Sequence, residues 1–247
     1  MTILNSNPMF RSNSLFNAYS YDKKMTVNST MFKTSILLIL FMSTAVFSFT
    51  HFPMIIFNTK LYIGLGVSGF LLSLITGFFP KMAPFTAPTF AIIEGVFVGT
   101  ISSYYSTLLD NIIFIAATGT IAIMLSMAFL YWARIINVTQ RFVSTLSTVT
   151  FGIMIFYLLI WVLQLFGISL PYLHEANPLT LGISTLIVIV ASLSFLADFH
   201  NIEYMVEHNL PKYMEWYGAF SILVTIIWLY LELLRLIRII VGMVTGK

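Results

Sequence analysis

Residues 193–240 read LSFLADFHNIEYMVEHNLPKYMEWYGAFSILVTIIWLYLELLRLIRII, and this stretch decides the fold. One apolar run ends at Asp198, a short charged connection follows, and a second apolar run from Trp216 to Ile240 contains Glu232. A carboxylate near the centre of a bilayer costs roughly 2.5–3.5 kcal/mol on insertion scales, so a chain that keeps one usually turns it away from lipid. Both acids therefore indicate helices that pack against other helices.

The last apolar run carries its polar side chains on one helical face. They are spaced alternately four and three residues apart: Ser221, Thr225, Trp228, Glu232 and Arg235. Side chains at such intervals share one side of an α-helix. The pattern predicts a helix that is surrounded by others and turns its polar stripe toward an internal path or site.

The composition excludes a soluble domain. The chain is 59% hydrophobic and 9% charged, which is typical of a multi-spanning membrane protein. It contains no cysteine, so disulfides, thiolate metal sites and cysteine nucleophiles are excluded, and a bacterial inner membrane fits. The net charge of +3 comes from basic residues that flank apolar runs, so we expect no nucleic-acid partner.

Seven apolar runs, each near the roughly 20 residues that span a bilayer, divide the chain into three parts. Residues 1–34 form a polar, cytoplasmic amino-terminal tail, residues 35–241 a seven-helix membrane domain, and residues 242–247 a short carboxyl-terminal tail. The predicted spans are Ser35–Phe49, Leu61–Phe79, Phe85–Tyr105, Asn111–Trp132, Phe142–Phe166, Leu179–Phe199 and Trp216–Ile240.

The distribution of basic residues predicts the orientation. The predicted loops on the side of the amino-terminal tail hold Lys81, Arg134, Arg141 and Lys212. The opposite loops hold little more than Lys60, so the positive-inside rule places the amino terminus in the cytoplasm of a multi-pass cell-membrane protein. Seven crossings would put the carboxyl terminus outside, whereas Arg235, Arg238 and Lys247 favour the cytoplasm, and its side stays open.

The third span combines small residues with an acid. Small residues recur every four positions in it, which predicts close helix packing in lipid: Ala91, Gly95, Gly99 and Ser103. Glu94 lies beside Gly95 about midway along this span, so we expect it to face the protein interior. It is either a functional carboxyl or a structural hydrogen-bond partner of a hydroxyl group.

Short motifs over almost the whole chain carry a resemblance to a known family. They are Asn7-Pro8, residues 25–30 (MTVNST) with Lys33, Ala87-Pro88 with Phe90-Ala91, Glu94-Gly95 with Gly99, Ile101-Ser102, Asp198-Phe199 with Ile202-Glu203, Glu215-Trp216-Tyr217 and residues 228–235 (WLYLELLR). Together they resemble the Bax inhibitor-1 family, in its bacterial YccA-like branch. The last motif is the most specific.

This resemblance implies a fold and an activity. The fold is a bundle in which six helices wrap a central seventh. The activity is a pH-sensitive calcium leak, in which two aspartates on the sixth and seventh helices share a proton and act as sensor and gate. Asp198 matches the first aspartate, and the position of the second falls on or near Thr225, which does not ionise.

We therefore expect Glu94 to supply the missing carboxyl. Two carboxyls in contact at low dielectric hold a proton between them, and loss of that proton leaves two charges that repel. Helix separation or a bound divalent cation relieves that repulsion, and calcium prefers carboxylate oxygens. Asp198 and Glu94 are accordingly the predicted gate and the predicted transient calcium ligands, and no resident cofactor is expected. The alternative for Asp198 is a cytoplasmic helix end.

The remaining candidates on the last helix are secondary. Arg235 lies three residues after Glu232, and this spacing favours a structural ion pair near the membrane interface over a gating role. Thr225 is retained as a candidate because of its place in the polar stripe.

Three functions remain open. The first is a pH-modulated calcium or cation leak. The second is a non-conducting regulator that binds other membrane proteins, since relatives in the YccA-like branch are associated with a membrane-bound AAA-type protease. The third is proton-coupled transport of a small metabolite. An enzyme is not expected, because all four histidines lie at span ends or in loops and the chain has no nucleotide or zinc motif. Ion selectivity, oligomeric state and the partner's identity are not determined by the sequence.

Overall fold

Seven helices make up the part of the protein that the computed structural model describes, which is residues 24–52, 59–166 and 176–245. They are α1 Val27–His51, α2 Thr59–Phe78, α3 Ala83–Leu108, α4 Ile112–Trp132, α5 Gln140–Leu165, α6 Pro178–Glu207 and α7 Met214–Thr245. All seven contain a segment long and apolar enough to cross a membrane, and no strand occurs in these ranges. The expected all-α fold with seven membrane-length helices is confirmed.

Two helix ends lie well beyond the apolar runs that predicted them. α1 begins at Val27 rather than Ser35, because the Thr26 side chain caps it by accepting a 3.2 Å hydrogen bond from the Ser29 amide. α6 ends at Glu207 rather than Phe199, and its extra turns keep Ile202 and Met205 buried. Residues 27–34 of the predicted tail are therefore helical, and residues 1–23 lie outside the described residues.

The last helix packs against several of the other helices. α7 packs along α1, α3, α4 and α6, while α2 packs on α3 and α5 packs on α6. Its apolar faces are closed by fully buried side chains, namely Ala219, Leu223, Leu229 and Leu234. The complete ring of six helices around α7 stays a prediction.

Glycines bring α1 and α3 into close contact. A Cβ atom added at Gly95 would lie 2.6 Å from the carbonyl oxygen of Phe41, and one added at Gly99 would overlap the backbone of Ala45. The small-residue stripe of the third span is therefore a packing surface, as its spacing predicted.

The start of α1 is attached to the connection between α6 and α7. The Met25 amide donates to the Leu210 carbonyl at 3.0 Å. Glu215 accepts from the Thr26 amide at 3.2 Å and from the Lys33 ammonium group, and its side chain is only 1% exposed. We call these contacts the tail-side clamp. They hold the beginning of α1 against the beginning of α7.

Candidate functional site

Asp198 joins α6 to α7 through both of its carboxyl oxygens. Thr225 donates to Oδ2 at 2.6 Å, and Ser221 donates to Oδ1. Asp198 is 8% exposed. We call Asp198, Ser221 and Thr225 the hydroxyl lock.

Helical periodicity and apolar packing build this lock. Ser221 and Thr225 lie one turn apart on α7, so both hydroxyl groups reach the same carboxylate. Phe195 and Leu196 of α6 are fully buried beside it, and Ile222 of α7 is almost so. Water is thereby kept from a carboxylate whose two accepted bonds are of the strong, charge-assisted kind.

Thr225 lies on or near the position where the resemblance placed the second aspartate. The structure brings it into direct contact with Asp198, so an acid at this position would face Asp198 across the α6–α7 seam. The lock thus has the geometry of a two-carboxyl contact with one carboxyl replaced by a hydroxyl group.

Glu94 has separate surroundings. Its carboxyl group lies against Gly69 of α2 and occupies the space that a side chain at Gly69 would take. Among the described residues it makes no hydrogen bond with Asp198, whose oxygens are taken by Ser221 and Thr225. The structure therefore does not bring the two predicted gate residues together, because Glu94 faces α2 whereas Asp198 faces α7.

The predicted calcium ligands do not converge for the same reason. Within residues 24–52, 59–166 and 176–245, no group of three or more His, Cys, Asp or Glu side chains is arranged to hold a metal ion. Calcium usually takes six to eight oxygen ligands. Any calcium that meets Asp198 here would keep most of its water or use backbone carbonyls.

Glu232 and Arg235 belong to a second polar cluster, which includes a residue of α5. The Tyr157 hydroxyl donates to Glu232 Oε1 at 2.5 Å and accepts from Arg235 Nη1 at 2.6 Å. Glu232 is 6% exposed, and its Oε2 atom is buried. We call Tyr157, Glu232 and Arg235 the tyrosine bridge. The sequence predicted the link between Glu232 and Arg235 but not the tyrosine that mediates it.

Comparison with family models matches residues 7–242 to the family described as Bax inhibitor 1 like. The chain belongs to this family. Comparisons with curated proteins and with solved structures gave no match. As a Bax inhibitor-1-like protein it is a membrane protein, and the YccA-like branch stays a prediction.

Sequence reasoning missed three polar residues that the structure places in this Bax inhibitor-1-like bundle. Glu215 and Lys33 lie in the motifs that carried the resemblance, but nothing local shows that they form an ion pair. Tyr157 is one of 12 tyrosines, and 75 positions separate it from Glu232. Contacts of that sequence separation leave no trace in helical periodicity.

Proposed function

We propose that this protein is a passive cation leak of the Bax inhibitor-1 type, which passes calcium down its gradient and responds to pH. The observation that carries the proposal is the hydroxyl lock, because it places a buried acid of α6 in direct contact with α7. Family membership supports the assignment. Calcium is the transported ion in this proposal, and neither a resident cofactor nor an enzymatic reaction is part of it.

The lock acts as the gate in this proposal. Separation of α6 from α7 breaks both hydrogen bonds to Asp198 and leaves its carboxylate free to meet a hydrated cation. A hard cation such as calcium compensates for the lost bonds, since it prefers carboxylate oxygens. A passing cation therefore stabilises the open arrangement at the moment when the lock is broken.

The response to pH differs in kind from that of two paired aspartates. Serine and threonine hydroxyls both donate and accept, so they bond to Asp198 whether or not it carries a proton. Loss of a proton from Asp198 creates one charge and no repelling pair. We therefore expect a shallower pH dependence than two facing carboxyls would give.

Calcium flux into liposomes containing the purified chain tests the gate at about pH 6 and about pH 8, on either side of neutrality. Asp198→Asn keeps the size of the side chain but removes the carboxylate that meets the cation in this proposal, so we expect a severalfold lower flux that no longer varies with pH. Glu94→Gln is the matched control, and we expect its flux to follow the native chain. If Glu94→Gln instead loses the pH response, the two acids are coupled and the lock alone is not the sensor.

A second substitution tests what a carboxyl group at position 225 would do to the pH response. Thr225→Asp places two carboxyls across the α6–α7 seam, so we expect low flux at the lower pH, where they share a proton, and a steep rise at the higher pH. Thr225→Asn is the control of equal size without the charge. Equal pH profiles for these two variants would remove position 225 from the gate.

A non-conducting regulator of another membrane protein, such as a membrane-bound AAA-type protease, is the second candidate. The tail-side clamp favours it, because the chain that precedes Lys24 leaves from a point attached to the α6–α7 connection. Deletion of residues 1–23 should abolish regulation but leave a leak intact. Absence of flux above that of empty liposomes, from folded protein at either pH, would favour the regulator.

A further inference from the structure

A cavity of about 550 Å³ lies between the α4–α5 connection and the last turns of α6, at the end of the bundle where α1 begins. Its volume falls within the roughly 300–1,000 Å³ of small-molecule sites. Arg134 and Asn137 of the connection line it, together with His200, Glu203 and Glu207 of α6. The lining therefore contains one guanidinium group and two carboxylates.

These opposite charges do not pair with each other. In the ranges that the structure describes, neither Arg134 nor the two glutamates belongs to an ion pair. All three side chains are exposed, so their charged groups are accessible to a ligand. A ligand that carries both a cation and an anion can contact the two carboxylates with one end and Arg134 with the other.

The cavity lies at the boundary of the membrane. The membrane-length segment of α4 ends at Trp132, which lines the cavity and is 82% exposed. Ile135 follows it and is 62% exposed. Tyr131 and Tyr204 are also part of the lining, and both tryptophan and tyrosine are enriched at the level of lipid head groups. The cavity is therefore within reach of a lipid head group.

Arg134 occupies a backbone position that favours glycine, with a φ angle of 53°. α4 ends here in a Schellman motif. The Ile135 amide donates to the Leu130 carbonyl at 3.1 Å, and the Arg134 amide donates to the Tyr131 carbonyl at 3.0 Å. The turn alone does not account for an arginine at this position. A guanidinium group suits phosphate, because its planar fork of N–H donors matches two phosphate oxygens.

The two glutamates suit a primary ammonium group. Glu203 and Glu207 lie one turn apart on α6, so they share a face. Tyr131 donates to Oε2 of Glu203, and the remaining oxygens of the pair can accept further hydrogen bonds. A primary ammonium group has three N–H donors for these oxygens, whereas a quaternary one has none. The aromatic faces of Trp132 and Tyr204 add attraction for a cation.

We propose that this cavity binds the head group of a zwitterionic phospholipid with a primary ammonium group, as in phosphatidylethanolamine. The ammonium group bonds to Glu203 and Glu207, the phosphate bonds to Arg134, and the acyl chains stay in the bilayer. Glu207 follows Asp198 by about two and a half helical turns, so the two acids lie on opposite sides of α6. The site is therefore separate from the hydroxyl lock and does not depend on whether the protein conducts ions.

Fluorescence quenching of Trp132 tests the site in nanodiscs of phosphatidylcholine. The probes are phosphatidylethanolamine and phosphatidylcholine, both brominated at the head-group end of the acyl chains. The difference in quenching between the native chain and Trp132→Phe isolates the contribution of Trp132. We expect phosphatidylethanolamine to associate about fivefold more tightly than phosphatidylcholine, which is the most that one exposed ion pair supplies. Equal association of the two lipids would overturn the proposal.

Glu207→Gln tests the contact with the ammonium group. It removes one carboxylate that only a head group with N–H donors can use, so we expect the preference for phosphatidylethanolamine to fall severalfold. Asp110→Asn is the matched control, since Asp110 is exposed and does not line the cavity. A preference that survives in Glu207→Gln, or falls equally in both variants, would contradict the role given to Glu207.

Arg134→Gln tests the contact with the phosphate. Brominated octadecylamine carries a primary ammonium group but no phosphate, so we expect the native chain to prefer phosphatidylethanolamine to this amine. Arg134→Gln should remove that preference. Arg141→Gln is the control, because Arg141 is also exposed, lies shortly after the same connection and does not line the cavity. Equal ratios in these two variants would contradict the role given to Arg134.

Soluble phosphoethanolamine distinguishes a lipid from a free ligand. It carries both charged groups of the head group but no acyl chain to concentrate it at the membrane. Added at the same molar excess over protein as the brominated lipid, it should leave the quenching unchanged. Reversal of the quenching would show that the cavity takes a water-soluble ligand and would overturn the assignment to a lipid.

Discussion

The hydroxyl lock and the tyrosine bridge lie on the same face of α7, two helical turns and about 10 Å apart along its axis. Each contains one buried carboxylate held by hydroxyl groups from a neighbouring helix. In the lock, both oxygens of Asp198 accept a hydrogen bond. In the bridge, Glu232 accepts from the hydroxyl group of Tyr157, which in turn accepts from the cation of Arg235.

The carboxylates of Asp198 and Glu232 differ in their hydrogen-bond partners and not in their degree of burial. Asp198 and Glu232 are almost equally buried, at 8% and 6% exposure. A carboxylate with both oxygens bonded closes a helix contact, so the function proposed for the lock requires the contact to break. In the bridge, Arg235 offsets the charge of Glu232 through Tyr157, so this contact can stay closed.

Removal of both donors from the lock should have the largest effect. The double variant Ser221→Ala/Thr225→Val leaves Asp198 buried without a partner, and we expect the free energy of unfolding to fall by about 3–5 kcal/mol. Reversible unfolding in sodium dodecyl sulphate, followed by circular dichroism, measures it.

The matched control for this variant is Ser192→Ala/Thr120→Val. Both control hydroxyls are buried, and within the described part of the chain each bonds only to a carbonyl of its own helix, Val188 for Ser192 and Ala116 for Thr120. If the two double variants lose the same free energy of unfolding, the contact with Asp198 contributes no more than hydroxyl burial does.

Removal of the tyrosine hydroxyl should have an intermediate effect. Tyr157→Phe takes away the donor to Glu232 and the acceptor of Arg235, and we expect the free energy of unfolding to fall by about 1.5–3 kcal/mol. Thermal unfolding in detergent measures the change. Tyr104→Phe is the control at a more exposed tyrosine, and a loss as small as in that control would mean that Tyr157 does not stabilise Glu232.

Neutralisation of Glu232 should give the smallest effect, and neutralisation of Asp198 provides the contrast. Glu232→Gln keeps the oxygen that accepts from Tyr157, so we expect it to lower the free energy of unfolding by less than about 1 kcal/mol. Asp198→Asn disrupts one of two bonds to a charged group and should cost about 1.5–3 kcal/mol. The same thermal measurement compares them, and equal costs would mean that Glu232 is bonded as fully as Asp198.

Much of the fold was predictable because hydrophobicity alone marks helices in lipid. The seven spans follow from runs of apolar residues, and the positions that shifted are those where polar residues continue a helix, as at Asn28 in α1 and Glu203 in α6. A helix cap, or a turn of helix outside the apolar run, cannot be seen in the hydropathy profile of the sequence. Apolar runs therefore give the number of helices better than they give their ends.

The candidate site was predictable only in part. Periodicity placed Ser221 and Thr225 on one face of α7, and the resemblance added Asp198 across the seam. Periodicity assigns a residue to a face of its own helix but does not say which helix that face meets. Glu94 illustrates this limit, since its predicted interior position is consistent with a face turned to α2 instead of α6.

The tail-side clamp connects the beginning of α1 to both α6 and α7. Tension on the chain ahead of Lys24 is carried by the Met25–Leu210 hydrogen bond into the connection between α6 and α7, and the Lys33–Glu215 ion pair anchors the load at the start of α7. Those are the two helices that the hydroxyl lock holds together. We expect a force on the start of α1 to reach the two helices that the lock joins.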